Sequence, residues 1–178
     1  MTTTTDLGEL TGDYVLDTAR TRIGFAARAA LVIKVRGRFD AFEGSARLNG
    51  DDPAASVVRL VIRADSLRTG NRKRDDHLRG GDFLDVGSHP VITFTSTGVT
   101  PAGGTRFTVT GDLTVHGVTR PVGVDVRLTG VRPGPQGGFR AGFHGRATVH
   151  RKDWGVGPGG ALVGDKVTLE FDVVVLRH

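Results

Sequence analysis

The sequence predicts an all-β domain, in which roughly eight antiparallel strands close as an up-and-down barrel or pack as a sandwich, with one or two short helices. Three observations predict it. Apolar and polar residues alternate with period two along most of the chain, the mark of half-buried strands. Short segments rich in Gly, Pro, Asn and Asp interrupt the alternation and supply the dihedrals that turns need. Only one long segment, Arg68–Phe94, lacks strand alternation. The 178 residues suit one domain, expected over 12–178 after a disordered tail at 1–11.

Taken in order, Tyr14–Asp17 predicts a short first strand, and Arg22–Arg28 a second with Ile23, Phe25 and Ala27 on one face. Arg36–Phe39 and Phe42–Gly44 predict a strand region that bends at glycines. Val58, Leu60, Ile62 and Ala64 share a face opposite Arg59, Val61 and Arg63. After the central insert, Ile92, Phe94 and Ser96 alternate with Val91, Thr93 and Thr95. Phe107, Val109, Gly111, Leu113 and Val115 line the next strand, then Val122, Val124, Val126 and Leu128, then Phe139 to Val149, and finally Val167 to Val175. Turns are expected at Asn49–Pro53, Pro101–Gly104, His116–Gly117, Pro133–Gly138 and Gly155–Gly164.

Within the insert, Arg72–Arg79 is the segment fit for a helix of about two turns, with Asn71 as its N-cap. Arg68, Arg72, Lys73, Arg74 and Arg79 surround Asp75, Asp76 and His77, and a Gly pair and an apolar plug, Phe83–Leu84, follow. Irregular segments between strands carry binding groups on a rigid scaffold, so this insert is where function is expected. The inward faces carry small residues (Ala27, Ala64, Gly111, Ala141, Gly145, Ala147) alternating with Phe25, Phe94, Leu113 and Phe143. An eight-stranded barrel either fills its centre or holds one small ligand, and small inward residues favour the hollow form.

Composition narrows the function classes. No apolar run approaches the roughly 18 residues of a membrane-spanning helix. The Thr-rich Met1–Leu10 has no apolar h-region, so the expectation is a cytoplasmic chain without a secretory signal. Cysteine is absent, which removes disulfides and thiol chemistry. The net charge of +5 leaves nucleic acid, anionic lipid or a phosphorylated ligand open beside an ordinary arginine-rich surface. One Trp, one Tyr and nine Phe that fall mostly on apolar faces make a poor base-stacking kit, so no nucleic-acid partner is expected. His77, His89, His116, His144 and His150 form no spaced metal motif, and no metal or other cofactor is expected. Hydrolase, P-loop and dinucleotide signatures are absent, so no catalytic residue is assigned.

Several segments carry a resemblance. They are Tyr14–Asp17; Val35–Phe39 with Phe42 and Gly44; Asp65–Gly70; Arg74, Asp75, His77 and Leu78 with Asp82–Leu84; and Pro90–Ser96. Gly111–Thr114, Gly117–Val122, Ala141–Phe143 and Arg151–Gly155 complete them. In this order over Gly12–Leu176 the chain resembles the YceI family of lipocalin-like barrels associated with polyisoprenoid binding. The resemblance implies an eight-stranded antiparallel lipocalin-like barrel with an apolar tunnel for an isoprenoid tail. It departs from the family pattern at Ala29, where a His is expected ahead of Ala30–Ile33, trading a polar group for apolar wall.

The candidate lining is Ile23, Phe25, Ala27, Ala29, Leu31, Phe39, Phe94, Leu113, Phe143 and Trp154, with Arg74, Asp76 and His77 as polar groups of the mouth. Plain core packing competes for each apolar residue taken singly, and for His77 an inert capping or packing role competes with that of a general base near Asp75 or Asp76. An Arg74–Asp75 ion pair is expected to hold the insert against the barrel. The expected partner is a hydrophobic small molecule, an isoprenoid lipid or quinone; a homodimer is compatible with the sequence. Two other classes stay open: a cavity enzyme that cyclises or isomerises a polyene or polyketide, a chemistry that needs orientation more than acid–base groups, and a basic surface protein with salt-dependent binding.

Overall fold

The structure, a computed structural model, describes residues 7–29, 33–134, 138–157 and 163–177. Its strands are β1 (Gly12–Leu16), β2 (Arg22–Ala29), β3 (Ile33–Phe39), β4 (Phe42–Leu48), β5 (Val57–Arg63), β6 (Leu67–Arg68), β7 (Val91–Pro101), β8 (Arg106–Val115), β9 (Val118–Pro133), β10 (Phe139–His150) and β11 (Val163–Arg177). Helix α1 spans Arg72–Arg79.

These segments make eight barrel strands, because three pairs run in line. β1 and β2 pair successively along β11, at Val15↔Leu176 and Arg22↔Asp172. β3 pairs with β2 and β4 with β1, so a second long strand lies beside the first. β5 continues through the Ala64–Ser66 turn into β6, which pairs with β3. β5, β7, β8, β9, β10 and β11 then follow as antiparallel neighbours, and the β1–β11 pairing closes the ring. Closure removes the exposed edges that a sandwich would keep.

The breaks have local causes. Between β1 and β2, Asp17 is buried and accepts a hydrogen bond from Arg20 at 2.9 Å. Between β3 and β4, Asp40 ion-pairs with Arg38 and Arg68, each at 3.0 Å. In β7 the register shifts between Ser96 and Gly98, and the Ser96 hydroxyl accepts the Val58 N–H at 2.7 Å. The inward alternation expected through Ser96 therefore restarts at Val99, which is buried.

α1 begins as the sequence indicates, with the Asn71 side chain accepting the Arg74 N–H at 3.0 Å. Leu78, Leu84 and Val86 pack on the barrel core, and Phe83 is 6% exposed, so the plug closes one end. At the opposite end Leu10, Tyr14, Leu128, Ala141 and Val175 form a second apolar cluster. Residues 7–10, expected in the tail, instead form a 3-10 turn with Leu10 buried, because two leucines three apart cover that end. No described helix is long and apolar enough to cross a membrane.

Candidate functional site: the barrel lumen

Between the two apolar ends the barrel encloses a cavity of about 580 Å³. Its lining reaches from Leu7 and Leu10 at one end to Leu78, Phe83 and Trp154 at the other, so the space runs the length of the barrel. No large described side chain is completely sequestered, as expected when the strands face a hollow rather than one another. A volume of this size lies within the usual range for ligand sites, about 300–1,000 Å³.

Glycine and phenylalanine together keep the lumen open. No Cβ fits at Gly145, where it would come within 2.0 Å of the ring of Phe171, its direct partner across β10 and β11. The same holds for Gly37 beneath Phe25, its partner across β2 and β3, and for Gly111 beneath Phe94. Each ring occupies the space that a side chain at the glycine would take. Two of the small inward residues, Gly111 and Gly145, thus make room for aromatic rings, a refinement of the simple expectation that they leave a gap.

Most of the apolar candidates meet here. Ile23, Phe25, Ala27 and Phe39 line the cavity from β2 and β3; Phe94, Leu113 and Phe143 line it from β7, β8 and β10; Trp154 lines it from the turn after β10. Leu31 lies outside the described residues. For Ala29 only the backbone is described; it pairs with Ile33 and Val163. Trp154 is 5% exposed, and its indole N–H donates to the Leu113 carbonyl at 3.0 Å, which sets the ring edge-fixed in the wall.

The polar candidates separate. Arg74 reaches the cavity, and its guanidinium donates to the Thr69 hydroxyl at 2.9 Å and the Thr69 carbonyl at 3.1 Å. The expected Arg74–Asp75 ion pair is replaced by a shared partner: Asp75, 5% exposed, accepts the Thr69 N–H at 2.9 Å and the Thr69 hydroxyl. Adjacent helical residues do not face each other, so both reach the same strand-end threonine instead. His77 borders the cavity but is largely exposed, 3.4 Å from the Asp82 carboxylate and edge-on to Phe83 at 5.1 Å. Asp76 does not line the cavity; it is exposed and sits 3.5 Å from Arg79.

Several lining residues escaped the sequence, among them a buried cation. Arg151 is 7% exposed and borders the lumen, donating to the Gly164 carbonyl at 2.9 Å and the Val156 carbonyl at 2.8 Å. Gly157 lies against its guanidinium and Phe83. In sequence Arg151 is one basic residue beside Lys152, and only the fold of the following turn buries it.

A UPF0312 protein of Pseudomonas paraeruginosa is 46% identical over 120 residues, 67% of this chain; the match spans 62% of that relative's length. The fold is similar to the crystal structure of Burkholderia cenocepacia BcnA, with a TM-score of 0.82 and 25% identity over 89% of this chain and 98% of that one. It is also similar to a polyisoprenoid binding domain from Saccharophagus degradans, with a TM-score of 0.71 and 18% identity over 93% of this chain and 98% of the other. The YceI-like domain pattern matches residues 14–175, from the buried Tyr14 of the first strand to the buried Val175 of the last, and the chain belongs to that family.

Proposed function

We propose that the barrel binds a long apolar molecule, an isoprenoid lipid or isoprenoid quinone, along its lumen. The observation that carries this is the continuous apolar cavity of about 580 Å³ running from Leu10 to Trp154. Burial of each methylene is worth about 0.8 kcal/mol, so several isoprene units outweigh any one polar contact. The similarity in fold to a polyisoprenoid binding domain supports the ligand class. The head lies toward the α1 end, where Arg28, Arg74, His77 and Arg151 border the cavity.

The test uses the single tryptophan, which lines the lumen. Delipidated protein is titrated with a medium-length polyprenol and with a decyl quinone, following Trp154 emission, and the complexes are weighed by native mass spectrometry. One saturating equivalent with a change in emission is expected. A full-length apolar chain that fails to bind, or binds without altering Trp154 emission, overturns the proposal. Chromatography of recovered ligand separates binder from cyclase: a binder returns it unchanged, whereas conversion over multiple turnovers establishes the enzyme alternative.

A further inference from the structure

Outside the lumen, two segments distant in sequence bring Asp85, His89 and His116 together. One ligand-type atom from each lies within 4.8 Å of the other two, and all three residues are half-buried. Asp85 and His89 come from the segment between α1 and β7, and His116 from the two-residue turn joining β8 and β9. The imidazole rings of His89 and His116 are 4.8 Å apart at 65°.

The backbone around the cluster is unusual. Asp85 (φ 49°) and His116 (φ 54°) are the non-glycine residues with positive φ among the described residues. Such outliers concentrate at functional sites. At His116–Gly117, between the paired Val115 and Val118, both φ values are positive, the geometry in which Asn-Gly is the preferred pair. A histidine there forgoes the best turn residue and gains a ring aimed at His89. Gly117 leaves room for the His89 ring, since a Cβ there would come within 2.8 Å of His89 Cε1. The Asp85 backbone accepts from Ser88 and His89 N–H at 3.0 and 2.9 Å, which curls the segment so that residues 85 and 89 face the same turn.

We propose that Asp85, His89 and His116 form a binding site for a divalent transition metal, zinc by donor chemistry. Two imidazole nitrogens and one carboxylate oxygen suit zinc and its neighbours, whereas magnesium and calcium prefer oxygen sets. Three protein ligands with a fourth position left to water is a common zinc arrangement. Tetrahedral bonds of about 2.0–2.1 Å place ligand atoms roughly 3.3 Å apart, so binding requires the three side chains to draw together from a spacing within 4.8 Å. A metal here would tie the plug-bearing segment Gly80–Pro90 to the β8–β9 turn. This site is independent of what the lumen holds.

Chelator-stripped, tag-free protein titrated calorimetrically with zinc chloride is the test, with His89→Gln and His116→Asn as variants. His116→Asn installs the favoured turn pair, so it should melt no lower than wild type. Wild type is expected to bind one equivalent and to melt higher with zinc than without. Each variant should weaken binding at least about tenfold, as losses at metal sites do. Cobalt should give intense tetrahedral absorption in wild type alone, and magnesium no saturable heat. Absence of saturable zinc binding, or full retention of it in either variant, overturns the site.

Discussion

The ring of Phe171 lies directly over Gly145, its partner across β10 and β11, with no room between them for a Cβ. Phe171 borders the lumen, so where its ring sits decides how much of the cavity stays open. Gly145→Ala should push the ring into the space. Overpacking of this kind costs about 1–3 kcal/mol. Thermal melting should show the loss, polyprenol affinity should fall with it, and adding Phe171→Leu should restore both in part. A Gly145→Ala variant as stable and as tight-binding as wild type would sink this account of the wall.

Affinity should depend on apolar burial rather than on the cationic helix. Arg72 and Lys73 are exposed on α1, where a single ion contact contributes about 0–1 kcal/mol and salt screens it. Arg72→Ala with Lys73→Ala should leave polyprenol affinity nearly unchanged at high salt, whereas Phe143→Ala should weaken it at every salt concentration. The opposite ranking, with a loss that salt abolishes, would show a ligand held by its charge.

The helix insert should depend on Asp75. Its buried carboxylate holds the N–H and hydroxyl of Thr69, and through Thr69 the Arg74 guanidinium. Asp75→Ala leaves those donors unpaired at a cost of about 1–3 kcal/mol. Limited proteolysis should then cut between Arg68 and Pro90 sooner than in wild type, while the strand signal in circular dichroism persists. Equal cutting rates would remove Asp75 as the anchor.

Tyr14 gives a clean alkaline probe because it is the sole tyrosine. Its hydroxyl donates to the Leu10 carbonyl at 2.9 Å, and the side chain is almost wholly buried. Burial raises its pKa above the ordinary phenol value, with the Arg177 guanidinium at 5.8 Å opposing the shift. The folded value is the higher one, so this stabilisation is complete below about pH 10 and is lost as pH rises through the folded value. Phenolate absorbance should appear later on the pH axis in folded protein than in urea, and Tyr14→Phe should remove that component. Coincident titrations would contradict it.

Much of the barrel was legible in the residues because strand identity is a local property. Period-two alternation at Phe107–Val115 or Val167–Val175 records which side chains face inward, and Asn71 with Arg72–Arg79 carries its own capping chemistry. Closure was not local. It rests on β11 meeting β1 and β2 on one side and β10 on the other, and pairings between ends of the chain leave no mark on either segment alone. Apolar lining residues such as Phe94 and Trp154 could be named from their strand faces, yet packed core and open lumen produce the same alternation. The cavity exists because Phe25, Phe94 and Phe171 lie over glycines on neighbouring strands. Burial of Arg151 and the meeting of Asp85, His89 and His116 likewise depend on where separate turns land in space. Spacing along the chain could not report them, because their partners are set by the closed sheet and not by sequence distance.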